Sequence, residues 1–251
     1  MSFNRAVNAR ISFRGFRHRS SGNPHGWGLA YYPDESAQVF KEPISAKRSE
    51  LAEFVGNYKG VKSRIFIAHV RFASRGGLAR KNTHPFQREL NGRDYVFAHN
   101  GTMGVDWNYD MASCRPIGDT DSELVFCHIL SKINERGIEE WSKEDFIWLQ
   151  NLAHELNSLG SLNFMLSDGT FLFAYHDSFG YNSLYHLRRE APYHEIRLLD
   201  EDWMVNLSEE KSTDTRGYII ATKPLTDEKW VKFKNGEMIV VRDGEIVFDS
   251  R

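Results

Sequence analysis

From Arg64 the chain reads Arg-Ile-Phe-Ile-Ala-His-Val-Arg-Phe-Ala, a run of β-branched and apolar residues that stops at Ser74-Arg75-Gly76-Gly77. Such a run bounded by a turn signal predicts a strand buried on at least one face. Tyr95-Val-Phe-Ala-His99 predicts a second strand, and Asn100-Gly101 directly after it predicts a tight turn. The period then changes. From Thr120 the sequence Thr-Asp-Ser-Glu-Leu-Val-Phe-Cys-His-Ile-Leu offers an N-cap, acidic residues in the first turn and a sustained apolar face, and so predicts a helix. A second helix is expected from about Lys143 to Leu159, with Phe146, Leu149, Leu152, Ala153 and Leu156 along one side. Beyond it strand patterns return at Leu162 to Leu166, Phe171 to Tyr175 and Tyr218 to Ala221, and in a hairpin from Met238 to Phe248 around Arg242-Asp243-Gly244.

Strands and helices therefore come in blocks, which favours antiparallel sheets with segregated helices over a doubly wound parallel fold. No repeat, low-complexity tract or long linker divides the chain, so residues 1–251 are read as one layered α+β domain. The 251 residues are long enough for a large core, and 41% hydrophobic with 26% charged residues is ordinary for a folded protein. A net charge of −2 gives no field that would select nucleic acid or an anionic membrane, which leaves a small molecule as the default partner. No apolar run is long enough to cross a membrane and Met1 to Arg19 has no leader pattern, so a cytoplasmic location is expected. Two cysteines, Cys114 and Cys127, are too few for a disulfide scaffold and fit a reducing compartment. Cys127 lies in an apolar helical run and reads as a buried small hydrophobe; Cys114 reads as a loop residue.

The polar residues placed at strand ends and turns are Arg71, His84, His99, Asn100 and Asp121, with the glycine-rich His25-Gly26-Trp27-Gly28. A metal reading would recruit His69, His84, His99 and Asp121, but no pair has ligand spacing, and no metal or cofactor is expected. Cys114 as a nucleophile would need a histidine beside it in space, which the sequence neither shows nor excludes, and its Ser113-Cys114-Arg115-Pro116 context reads as a loop. An Asn side-chain amide followed by a glycine N–H has a more specific use, because together they can form an oxyanion hole. An arginine fork matches a carboxylate and an aspartate matches an ammonium, so Arg71 and Asp121 could hold an amino acid between them.

Taken in order, Gly26-Trp27-Gly28, Ala68-His69-Val70-Arg71-Phe72-Ala73-Ser74, Asn82-Thr83-His84-Pro85-Phe86, Ala98-His99-Asn100-Gly101 and Gly118-Asp119-Thr120-Asp121-Ser122-Glu123 form a series. That series resembles the motifs of class II glutamine amidotransferases. The likeness extends to the stand-alone members of the YafJ type through Asn163-Phe164-Met165-Leu166-Ser167-Asp168-Gly169 and Ala221-Thr222-Lys223-Pro224-Leu225-Thr226, and covers essentially the whole chain. The resemblance implies an N-terminal nucleophile hydrolase fold, a four-layer αββα sandwich. It implies too that an N-terminal cysteine attacks the side-chain amide of glutamine, or of a γ-glutamyl compound, and releases ammonia.

By the same resemblance Asn100 and the Gly101 N–H form the oxyanion hole. Arg71 pairs with the substrate α-carboxylate, Asp121 with its α-ammonium, and Phe72 and Ser74 line the pocket. Trp27 and His84 support the site from beneath, and Arg75 stands where biosynthetic members carry histidine. Family members open with Met-Cys and a short apolar strand before the equivalent of Met1-Ser2-Phe3-Asn4-Arg5. The resemblance therefore expects this chain to lack the nucleophile and that strand, to be inactive as written, and to place Ser2 beyond the strand. A synthase partner in trans fits a stand-alone glutaminase. A non-catalytic binding or regulatory subunit is the alternative.

Overall fold

In the computed structural model, which describes residues 1–200 and 203–251, the first half of the chain forms β1 (Ser2–Asn8), α1 (Arg10–His18), β2 (Trp27–Tyr31), β3 (Gln38–Glu42), α2 (Glu50–Asn57), β4 (Lys62–Val70), β5 (Phe86–Leu90), β6 (Arg93–Met103) and α3 (Asp121–Arg136). It continues with α4 (Lys143–Asn157), β7 (Gly160–Ser167), β8 (Phe171–Tyr175), β9 (Tyr185–Arg189), β10 (Glu195–Arg197), β11 (Met204–Asn206), α5 (Leu207–Glu210), β12 (Gly217–Ala221), β13 (Val231–Lys232), β14 (Met238–Arg242) and β15 (Glu245–Asp249). Of the two large sheets, one runs in the order β13-β9-β12-β1-β4-β2-β3 and the other β15-β14-β8-β7-β6-β5, while β10 and β11 pair by themselves. Neighbouring strands in both pair antiparallel.

Side-chain alternation sorts these sheets into layers. On β6, Tyr95 and Phe97 pack with α3 and α4, whereas Val96 and Ala98 pack with residues of the other sheet such as Ile65 and Ile67 of β4 and Ile220 of β12. Phe97 stacks on Phe126 of α3 with ring centroids 5.1 Å apart. The opposite face of the seven-stranded sheet is covered by α1 and α2, through Phe13, Ala52 and Val55 against Trp27, Leu29 and Phe66. The order helix, sheet, sheet, helix is the expected four-layer sandwich.

The two central helices begin where their caps dictate. Thr120 accepts the Glu123 N–H, and Ser142 with Asp145 forms a reciprocal capping box. The hairpin between β14 and β15 turns through Asp243 and Gly244, both at positive φ.

Three expectations change. Asn100 and Gly101 do not end their strand: β6 continues to Met103, with Asn100 opposite Asn163 and Gly101 opposite Leu162 of β7. The ladder supplied by β7 overrides the local turn signal. Ser2 does not lie beyond the first strand either, since Ser2–Asn8 is itself a strand between β12 and β4, with Ser2 opposite both Tyr218 and Ile65. Finally, Cys114 and Cys127 are joined in a disulfide, although two separate thiols were expected. The loop before α3 folds back on that helix, where the Asp110 N–H donates to His128 Nδ1 and the Ser113 N–H to Ser131 Oγ, and this brings the two sulfurs together. Among the described residues no helix is long and apolar enough to cross a membrane.

Candidate active site

At the end of β6 the chain meets the N-terminus of α3, and a cavity of about 290 Å³ opens there. Its lining includes Arg71, Phe72, Ser74, His84, Asn100, Gly101 and Asp121, so seven of the eight residues to which the resemblance gives a role converge on one space. The eighth, Trp27, is elsewhere. It is fully buried between the seven-stranded sheet and α1, against Phe13, and its indole N–H donates to Glu42.

Asn100 follows Ala98 on the face of β6 that looks between the sheets. Its Oδ1 accepts a hydrogen bond from Asn182 Nδ2 at 2.8 Å. Gly101 sits where no side chain fits: a Cβ there would stand 2.0 Å from the Ser161 carbonyl oxygen and 2.6 Å from His99 Nε2. β5 pairs with β6 only as far as Phe97, leaving the outer edge of β6 open beyond it. On that edge the Met103 N–H donates to Asp121, and Gly101, two residues earlier, presents its N–H to the same side.

Asp121 is buried at the first position of α3, where Oδ2 accepts the Met103 N–H at 2.7 Å and Oδ1 the Ser122 N–H at 3.0 Å. The helix N-terminus favours its negative charge. Arg71, just past β4, is also buried, and its guanidinium donates to the carbonyls of Arg75, Gly76 and Gly77. It thereby folds the 74–77 turn around itself. Asn82 extends the brace by donating to the Gly77 carbonyl and accepting the Asp119 N–H. Glu123 then accepts the N–H groups of Ile117 and Gly118 and pairs with Arg88. Most of the motif residues thus hold one another in place around the cavity.

Phe72 is 63% exposed at the rim, with its ring against His25. Ser74 Oγ lies 3.3 Å from Thr102 Oγ1.

His69, His84 and His99 form the floor of the cavity, His84 and His99 buried and His69 half-buried. His69 and His84 have ring centroids 4.3 Å apart, and neither ring nitrogen of His84 has a partner. Burial, then the nearby His99 and Arg71, push His69 down to about 3, and burial, then the neighbouring His69, His99, Lys41 and Arg71, drives His84 well below the usual histidine range. His99 is lowered by burial too. Its Nδ1 is 2.9 Å from Ser122 Oγ and its Nε2 3.0 Å from the Ser161 carbonyl. A neutral ring satisfies both if Nε2 donates and the Ser122 hydroxyl donates to Nδ1. The group is an uncharged floor. Among the described residues no cluster of three or more His, Cys, Asp or Glu is arranged to hold a metal ion.

A second cavity, of about 440 Å³, adjoins the first and shares His69, Val70 and Asn100 with it. Met1, Ala68 and Val70 of the β4 side and Ile219, Ile220 and Ala221 of the β12 side line it. β1 pairs with β12 only through Ser2 and Phe3, so beyond Met1 the two flanking strands continue with this cavity between them. The Met1 amine donates to the Phe66 carbonyl and is held down at about 5 by burial. The Ser2 side chain is buried in the ladder and lines neither cavity. Cys114 and Cys127 line neither of them.

Sequence reasoning missed Asn182 and Tyr181, which line the cavity from the loop after β8. Their stretch, Asp177-Ser-Phe-Gly-Tyr-Asn-Ser183, reads only as a turn-rich loop.

A family model described as glutamine amidotransferases class-II matches residues 1–251. An uncharacterized protein of Methanocaldococcus jannaschii, MJ1515, is 46% identical over 249 residues, covering 99% of this chain and 70% of that one. The provisionally assigned glutamine amidotransferase YafJ of Escherichia coli is 36% identical over 253 residues, covering 98% and 97%. Among solved structures, a glutamine amidotransferase of Pseudomonas aeruginosa, assigned by prediction, superposes with a TM-score of 0.71 at 31% identity over 89% of this chain and 87% of that one. The glutamine phosphoribosylpyrophosphate amidotransferase of B. subtilis gives a TM-score of 0.58 at 16% identity over 98% of this chain and 47% of that one, a likeness of fold.

Proposed function

Because the chain belongs to the class II glutamine amidotransferases, we propose that its 251 residues form one amidohydrolase domain that cleaves the side-chain amide of glutamine or of a γ-glutamyl compound. The observation that carries this reading is the meeting, in one cavity, of an arginine, a buried aspartate and an Asn-Gly donor pair. Arg71 would receive the α-carboxylate and Asp121 the α-ammonium, with Phe72 and Ser74 along the side chain. Asn100 Nδ2 and the Gly101 N–H would stabilise the oxyanion as the amide carbonyl becomes tetrahedral. His84 would act from beneath, as an uncharged filler.

The nucleophile is the cysteine the family places at the N-terminus, where its own α-amine serves as general base. Cys114 and Cys127 do not fill that role, because they are bonded to each other and line neither cavity. The cavity between β4 and β12 beyond Met1 supports the assignment: residues continuing β1 there would pair with both strands and arrive beside Asn100. The reaction needs no cofactor. A synthase acting in trans would consume the ammonia.

Ammonia release from glutamine tests this, comparing the chain from Met1 with one extended by the in-frame upstream codons and beginning with cysteine. Activity in the extended form alone is expected. If both are silent while glutamine still raises the melting temperature, the non-catalytic binding subunit or a different γ-glutamyl substrate takes its place; silence with no stabilisation by glutamine or a γ-glutamyl compound sinks both readings.

A further inference from the structure

We propose that Asn182 is a positioning residue for Asn100, fixing which end of the Asn100 carboxamide faces the reacting carbonyl; this rests on the amidohydrolase reading above. A carboxamide is nearly symmetric in shape but not in charge. Its NH₂ end stabilises an oxyanion, and its oxygen end repels one. A free Asn side chain at the end of β6 could present either.

Asn182 couples the two carboxamides. Its Nδ2 donates to Asn100 Oδ1 at 2.8 Å, which commits that oxygen as an acceptor and leaves the Asn100 NH₂ available to the cavity. Turning Asn100 alone would set two NH₂ groups against each other, and turning Asn182 alone two oxygens, so the orientation of one carboxamide sets that of the other.

Asn182 is itself held by its surroundings. It has a φ of 53°, in the left-handed region that asparagine tolerates better than most residues. Its carbonyl oxygen lies 3.0 Å from His176 Nε2. The preceding carbonyl, of Tyr181, accepts from Asn163 Nδ2 at 2.7 Å. The Asp177 carboxylate closes the turn by accepting the N–H groups of Phe179 and Tyr181, and reaches back to the Leu162 N–H of β7. Asn163 is the residue opposite Asn100 in the ladder. The loop that aims the Asn100 side chain is thus bolted to the strand that fixes its backbone.

The test uses the natural full-length protein and the variants N182G and N182D, with kcat and KM for glutamine hydrolysis measured across pH. Glycine accepts the positive φ, so N182G removes the donor without straining the turn. Its kcat should fall about tenfold with KM within about twofold, because the donor acts on charge that develops in the transition state. N182D should fall further at neutral pH, since a carboxylate would draw the Asn100 NH₂ toward itself. It should recover as the pH drops and the new carboxyl becomes a donor. Equal changes in KM and melting temperature for both variants, with no recovery of N182D in acid, would overturn the inference and leave a merely structural loop. Wild-type kinetics in both variants would overturn it too. Absence of hydrolysis of both glutamine and a γ-glutamyl amide by the unaltered protein would instead remove the amidohydrolase reading, and this inference with it.

Discussion

Asp121 accepts the Met103 N–H at 2.7 Å, so the carboxylate that opens α3 also holds the last residue of the strand carrying Asn100 and Gly101. Two roles meet in one side chain, and they separate by substitution. Asp121→Asn keeps an acceptor for Met103 but loses the charge that would meet a substrate ammonium, whereas Asp121→Ala loses both. We expect Asp121→Ala to cost about 1–3 kcal/mol for the orphaned buried N–H, and Asp121→Asn to cost less while weakening glutamine binding at least about tenfold. Thermal unfolding with and without glutamine reads both effects. An unaltered glutamine response in Asp121→Asn would release Asp121 from the clamp.

Gly101→Ala tests whether the glycine is required by space rather than by a turn. The added Cβ would lie 2.0 Å from the Ser161 carbonyl oxygen, which is backbone and cannot rotate away. β6 and β7 would have to part beside Asn100, at a cost of about 1–3 kcal/mol or more. Activity should vanish together with the stability. A variant that melts like the wild type would show that the strands have room to shift.

Periodicity placed α3, α4, β4 and β8 well, because each carries its pattern, and the helices their caps, within a single stretch of chain. α1 escaped because it is short, starts at Ala9 with no side-chain cap and no acidic residue in its first turn, and carries Gly15 in its middle. Asn100-Gly101 looked like a turn for a similar reason: the partner that keeps it extended, Asn163-Leu162, lies some sixty residues away. The site residues were legible as a series because each stands inside a motif. Asn182 was not, because its contact with Asn100 is made by a loop 82 residues downstream and leaves no local trace.

The three histidines of the cavity floor make stability depend on pH in a definite direction. His69, His84 and His99 all have native values below that of the unfolded chain, with His69 at about 3. Below about pH 6.5 the unfolded chain takes up protons that the native state refuses, so stability falls as the pH falls. It is fully present above that value. Each histidine contributes about 1.4 kcal/mol per pH unit until its native value is reached. Urea unfolding of the wild type and of His84→Leu between pH 7.5 and 4.5 isolates one of them. The variant should lose less stability on acidification, by about one proton's worth of slope; parallel curves would mean that His84 is charged or exposed in the native state.

The Cys114–Cys127 disulfide closes a loop of sequence separation 13 that contains Asp121. By the chain-entropy argument, a closed loop of this size stabilises the fold by about 3 kcal/mol. That corresponds to a fall in melting temperature of roughly 6–12 °C on reduction for a chain of this size. The site should suffer less than the fold. The start of α3 is also held by Glu123 against the N–H groups of Ile117 and Gly118, and by Asn82 against that of Asp119, none of which needs the sulfur bridge. Cys114→Ser/Cys127→Ser should therefore melt lower yet keep any glutamine-induced stabilisation close to that of the wild type. Thiol titration of the denatured, unreduced protein checks the premise, because a bonded pair yields no free thiol. Two reactive thiols in that assay would remove the bridge, and with it the difference in melting temperature.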